Sequence, residues 1–270
     1  MLKKRWLYIG IVALLVVVFC YIQNNLLTIT KLNVRSEKLP SAFDGYTIVH
    51  LSDLHSKDFG KALPEKIEKE KPDIIVFTGD LVDARRYEEE VSLTLMKRLV
   101  AIAPTYFVTG NHEWSSGQFA ALEVKLRDAG VQVLRNEAMQ LTRAAASIRL
   151  LGIDDPLGSY DEGNTVASAI TSAAPENAFT LLLSHRPEWF SVYVNLGVDV
   201  VFSGHAHGGQ VRIPFVGGLI APNQGWLPAY TAGAHQNGAT TMIVSRGLGN
   251  SVIPQRVFNR PEIVVVTLRR

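Results

Sequence analysis

The chain has 270 residues, 47% of them apolar, with 27 Lys+Arg against 25 Asp+Glu and a single cysteine. That length and apolar share suffice for the packed core of one large domain or two small ones, and they exclude disorder, a collagen-like repeat and a disulfide scaffold. The net charge of +2 is unevenly placed: residues 1–30 hold Lys3, Lys4 and Arg5 and no acid, while the other 240 residues hold 24 basic and 25 acidic groups. The body, at −1, lacks the general basic field that drives nonspecific nucleic-acid binding, so nucleic acid is not an expected partner. Cys20, the one thiol, lies in the first apolar segment, so a metal site in the body must draw on His, Asp, Glu or Asn.

In chain order, the basic triplet is followed by 17 uncharged residues, Trp6 to Ile22, with Trp6 and Tyr21 at the ends. At about 1.5 Å per residue this run spans roughly 25 Å, the lower limit for crossing a bilayer. A cleaved signal peptide is the rival reading, but no small-x-small site follows, and Val-Val-Phe before Cys20 does not suit a lipoprotein. An uncleaved anchor over about 6–22 within an N-terminal unit 1–30 is expected, with the N-terminus cytoplasmic and the body, 31–270, outside the cytoplasm.

Asn24 to Pro40 reads as a short connection and one strand, Lys31 to Arg35. Five β-branched or apolar runs then end in polar turns: Tyr46 to Leu51, Asp73 to Thr78, Thr105 to Thr109, Phe179 to Leu183 and Val198 to Phe202. Such near-continuous runs suit strands buried on both faces. Helices are expected at Leu63–Lys71, Glu88–Val100 and Gln118–Ala129, two further strands between Gly130 and Leu151, and a second sheet from the strand-rich C-terminal third. The fold class is α/β: a layered β-sandwich flanked by helices, with one N-terminal transmembrane helix.

Ligands bind at the carboxyl ends of strands in open α/β sheets, so the five turns should converge. Five of the seven histidines (His55, His112, His185, His205 and His207) stand in them, a concentration that points to a metal site. The series Asp53-x-His55, Gly79-Asp80-x-x-Asp83, Gly110-Asn111-His112-Glu113, His185 and Gly204-His205-x-His207 resembles the calcineurin-like metallophosphoesterase family, with all five blocks in order. The N-terminal anchor, the stretch Ser245-Arg246-Gly247-Leu248-Gly249, Arg256 and Pro261-Glu262-Ile263 are similar to its bacterial membrane-associated branch. The resemblance extends from about residue 40 to the C-terminus.

The resemblance implies that Asp53, His55 and His207 hold one divalent ion, that Asn111, His185 and His205 hold a second, and that Asp80 bridges them with its two carboxylate oxygens. Imidazole, carboxylate and amide donors suit Mn, Fe or Zn, and the two ions less two carboxylates leave about +2 for a phosphate. Ions roughly 3.5–4 Å apart would lower the pKa of a bound water, and the resulting metal-bound hydroxide would attack phosphorus with no covalent enzyme intermediate. His112 resembles the family's general acid. Asp83 and Glu113 read as groups orienting imidazoles or as plain surface acids, and Gly208-Gly209 as a close backbone approach.

For substrate, Arg186, Arg246 and Arg256 are candidate phosphate contacts, and Trp114 and the stretch Phe215 to Trp226 candidate pocket walls. The latter, being apolar and loop-like, is equally suited to lipid. The implied activity is hydrolysis of a phosphate monoester, diester or pyrophosphate, with lipid-linked or envelope compounds suggested by location. An inactive metal-binding scaffold that docks a protein, and a metal-dependent nuclease, are the alternatives.

Overall fold

The computed structural model describes residues 2–157, 161–173, 178–250 and 252–270. Helix α1 (Leu2–Asn25) precedes strand β1 (Thr28–Arg35), then β2 (Thr47–Leu51), α2 (Ala62–Lys69), β3 (Ile74–Thr78), α3 (Glu89–Ile102), β4 (Thr105–Val108), α4 (Asn111–Ser115), α5 (Phe119–Asp128) and β5 (Gln132–Val133). Next come β6 (Glu137–Arg143), β7 (Ala146–Gly152), α6 (Glu162–Ala173), β8 (Thr180–Leu183), α7 (Phe190–Asn195) and β9 (Val200–Ser203). Four two-residue strands follow, β10 (Arg212–Ile213), β11 (Gly217–Gly218), β12 (Ile220–Ala221) and β13 (Gly225–Trp226), before β14 (Gly233–Asn237), β15 (Thr240–Val244) and β16 (Glu262–Arg269).

Two six-stranded sheets carry the body, in the orders β1-β16-β2-β3-β4-β5 and β14-β15-β9-β8-β7-β6. The runs β2 to β5 and β7-β8-β9-β15 are parallel, so their carboxyl ends leave the sheets on one side. Strand alternation sorts the apolar side chains. Ile48, Ile74, Val76, Leu181, Leu183 and Phe202 point between the sheets, whereas Val49, Leu51, Ile75 and Phe77 pack under the helices on the first sheet's outer face. Val201 and Leu182 meet Val166, Ile170, Phe190 and Tyr193 of α6 and α7 on the second sheet's outer face. The result is helix, sheet, sheet, helix, the expected layered sandwich.

Several expectations change. The C-terminal strands do not build a sheet of their own: β15 extends the sheet of β9, and β16 enters the first sheet between β1 and β2, antiparallel to β2. The stretch from Gly130 to Gly152 forms three strands, because Gln132 and Val133 already pair with β4 before the β6–β7 hairpin. Asn24, expected in the connection, lies in α1, and β1 begins at Thr28, ahead of the expected Lys31. From Lys4 to Asn25, α1 is long and apolar enough to cross a membrane, and nearly all of it is exposed.

Candidate metal centre

The polar turns after β2, β3, β4, β8 and β9 meet at the shared carboxyl end of the two sheets. The backbone there is bent beyond what most residues accept: Asp53 (φ 53°), His55 (49°), Asp80 (54°), His205 (64°) and His207 (48°) all lie in the left-handed region. Each such residue costs on the order of 1–3 kcal/mol, which the surrounding structure must impose. Gly204 and Gly110 make the convergence possible. A Cβ on Gly204 would run into Ser52 and Asp53, and one on Gly110 into Asp80.

Asp53, His55, Asp80 and His207 form one group whose donor atoms lie within 4.8 Å of one another, and Asp80, His185 and His205 form another. In the first, Nε2 of His55 and Nε2 of His207 are 3.1 Å apart. Asp53 Oδ1 is 3.3 Å from the latter and Asp80 Oδ2 3.6 Å from the former. In the second, His185 Nε2 is 3.1 Å from His205 Nδ1 and 3.3 Å from Asp80 Oδ2. Asp80 therefore faces both groups through one oxygen, Oδ2, whereas the expected bridge used both. Its Oδ1 accepts the backbone N–H of His112 at 2.8 Å.

These atoms fit a pair of cations. His185 donates Nδ1–H to the carbonyl of Thr78 (2.7 Å), and His205 donates Nε2–H to Asn223 Oδ1 (2.9 Å). The two remaining nitrogens thus turn lone pairs toward each other, an arrangement that calls for a positive ion or a proton between them. Nδ1 of His55 and of His207 and Oδ1 of Asn111 are buried without hydrogen-bond partners among the described residues. Burial pushes His55 and His205 down to about 4 and His207 well below the ordinary imidazole value, so all three are neutral donors. Burial also opposes charge on His185, but Asp80, Asp53 and Asp155 outweigh it and push this imidazole up to about 10. The carboxylates that draw a proton there are suited to hold a cation at the same point.

His112 stands at the rim, its ring edge-on to His55 at 4.5 Å between centroids. Its Nδ1 accepts the N–H of Ala84 at 3.0 Å, which leaves the proton of the neutral ring on Nε2. Among the described residues, Glu113 bonds no imidazole. Its carboxylate accepts the backbone N–H groups of Gly110 (2.7 Å), Asp80 (2.8 Å), Leu81 (2.9 Å) and Val82 (3.2 Å), tying the turns after β3 and β4 together. Burial and then Asp80 push its carboxyl up to about 8, against the amides that favour its charge. Asp83 accepts from the N–H groups of Arg85 and Arg86 and lies 3.9 Å from His55 Nδ1, beyond hydrogen-bond reach.

The arginines singled out for phosphate are committed elsewhere. Arg186 makes a two-pronged pair with Asp155 (2.7 and 2.9 Å), Arg246 pairs with Glu262 (2.8 Å), and Arg256 is buried against the carbonyls of Arg246, Gly249 and Asn259. Trp114 packs on Phe119 and donates to Thr109. Gly208 and Gly209 do admit a close approach, of Asn259 and Gly218 respectively. A cavity of about 250 Å³ opens beside His55, lined also by Lys57, Arg86 and Asn250. Arg86, with a side chain 73% exposed, stands at this mouth together with Lys57 and lies 3.8 Å from Asp83. Neither it nor Asn223 carried a distinctive spacing in the sequence.

Comparison with known proteins agrees with this geometry. The family model for the calcineurin-like phosphoesterase matches residues 46–209, the stretch that holds all five turns. An uncharacterized metallophosphoesterase of Bacillus subtilis, YkuE, is 33% identical over 258 residues, covering 92% of this chain and 88% of its own. The phosphodiesterase YaeI of Escherichia coli is 28% identical over 235 residues (83% and 82%). A bovine transmembrane protein with a metallophosphoesterase domain is 28% identical over 259 residues, covering 89% of this chain and 57% of its own. Among solved structures, the sulfate thiohydrolase SoxB of Thermus thermophilus shares the fold, with TM-score 0.52 and 13% identity over 86% of this chain and 57% of that one. The chain belongs to the calcineurin-like phosphoesterase family and is a hydrolase of phosphate esters.

Proposed function

We propose that the protein is a membrane-anchored, dinuclear metal-dependent phosphoesterase. The observation that carries this reading is the single oxygen, Asp80 Oδ2, facing both donor groups at 3.6 and 3.3 Å. Asp53, His55 and His207 would hold one ion, Asn111, His185 and His205 the other, with Asp80 shared. Nitrogen and oxygen donors together favour Mn, Fe or Zn. The ions, when bound, supply activation of the attacking water and neutralisation of phosphoryl charge.

The chain's own residues do the rest. Thr78 and Asn223 fix which nitrogen of His185 and His205 faces inward. Ala84 keeps the His112 proton on Nε2, ready for the departing oxygen of the ester. Arg86 at the mouth offers a guanidinium to the phosphate. The E. coli relative's name supports a diester among the possible esters, and the bovine relative's name supports reading α1 as a membrane span. With the basic triplet cytoplasmic, the body lies on the outer face, where lipid-linked and envelope phosphate esters are at hand.

Asp80→Ala tests the reading at its centre. It should lose both ions by elemental analysis together with hydrolysis of aryl phosphates, and undiminished metal content would refute the shared role.

A further inference from the structure

Two loops beside the metal centre expose apolar side chains that the body leaves uncovered. In the first, Phe215 (108% exposed), Val216, Trp226 (71%) and Leu227 face outward, and in the second Val252 and Phe258 do. Single exposed apolar residues are ordinary, but this group has almost no charge among it. Between Val211 and Tyr230 the only charged residue is Arg212, whose guanidinium bonds Gly208 O and Thr231 Oγ1. Between Ser251 and Asn259 the only one is the buried Arg256.

The loops are joined to each other and to α1. Val211 bridges Val257, and Arg212 donates its N–H to the carbonyl of Val257, so both loops rise from one point. The Phe258 ring packs edge-on against Phe19 of α1 at 5.5 Å, and Gln255 donates to the carbonyl of Cys20. Gln23 Oε1, one turn further along the helix, accepts the N–H of Asn259. At about 1.5 Å per residue, Phe19 lies roughly 6 Å nearer the helix centre than Gln23. If α1 spans a bilayer, Phe258 is therefore at the boundary between headgroups and acyl chains, the depth at which interfacial side chains settle.

We propose that these two loops are a second membrane contact, inserted into the bilayer surface around the end of α1, and that they hold the mouth of the metal centre against the headgroups. The occupant is the bilayer, because the second loop, through Phe258 on Phe19, continues the exposed apolar surface of α1, and the first loop is joined to it at Val211 and Val257. The coupling to the centre is short. The first loop begins two residues after Gly209, the second of the glycines following His207, and it carries Asn223, which orients His205. Asn259, at the end of the second, donates to the carbonyl of His207 at 2.7 Å. A phosphate ester borne on a lipid would then reach the site within the plane of the membrane. The inference rests on the reading of α1 as a span.

The test uses the full chain with Cys20→Ser, in vesicles of phosphatidylethanolamine and phosphatidylglycerol, labelled with a fluorophore at Phe215→Cys or Trp226→Cys. Val12→Cys reports the helix, and Val124→Cys, 59% exposed on α5, reports water. The loop labels should be quenched by a nitroxide near the lipid headgroup and shielded from iodide, while the Val124→Cys label is open to iodide. Loop labels as open to iodide as Val124→Cys, with the Val12→Cys label still quenched by lipid, would overturn the docking and leave the span standing. A Val12→Cys label open to iodide would overturn the span and the docking with it.

Discussion

His112 is set apart from the histidines around it by its place at the rim and by the nitrogen that carries its proton. The ring donates to nothing through Nδ1, which accepts from Ala84, and it stands at the rim with its Nε2 proton available. His112→Ala should therefore retain both ions and lose on the order of 10²–10⁴ in turnover, most of all with poor leaving groups. Full activity with aryl esters and alkyl esters alike would remove the assignment. A second histidine has a different effect. His50 is buried between the sheets, bonded to Thr78 Oγ1, and burial pushes it from 6.5 down to about 3. The folded chain keeps it neutral while the unfolded chain takes up a proton below 6.5, so stability present above that pH is lost as pH falls toward 3. From pH 7 to pH 5 this amounts to about 2 kcal/mol, and the stability gap between wild type and His50→Leu should narrow by that much in denaturant titrations. A constant gap would show that His50 does not titrate this way. At this scale the donor side chains were legible, because their types are rare and their positions at strand ends repeat. Thr78 was not, because it acts through a backbone carbonyl. The role of Glu113 was hidden for the same reason, since its partners are backbone amides of two separate turns.

At the level of the elements, the parallel strands explain why the donors converge, and the left-handed residues explain how. β2, β3, β4, β8 and β9 were readable as runs of buried residues, each followed by a polar turn. The join of β16 into the first sheet was not, since an eight-residue apolar strand does not reveal its neighbour. The short strands β10 to β13 escaped notice because two residues of pairing leave no period. Gly204 shows how tightly the turns of the two sheets meet. Gly204→Ala places a methyl against Ser52 and Asp53, so the turn after β9 must withdraw from the turn after β2. Far-ultraviolet circular dichroism should stay near that of the wild type while metal affinity falls at least about tenfold, as for losses of groups that support metal ligands. Wild-type affinity in this variant would mean that the turns tolerate separation.

Across the whole molecule, the distribution of charge and the placement of the helix belong together. The excess positive charge of the sequence, Lys3, Lys4 and Arg5, sits in the first turns of the apolar helix α1, whose far end is tied to the body through Gln23 and Asn24 and is followed directly by the buried Leu27. The body, near neutral by count, gathers carboxylates and imidazoles at one end of its two sheets, where, on the proposed function, bound ions would supply the positive charge that a phosphate requires. Catalysis on the proposed function thus depends on two ions in one site. The most direct measurement strips the full chain with a chelator and titrates Mn²⁺ back while following release of nitrophenol from an aryl phosphodiester. The stripped protein should show no hydrolysis, and activity should saturate at two bound ions per chain. Hydrolysis that survives chelation, or a preparation with two ions bound that hydrolyses no phosphate ester, would contradict the proposed function.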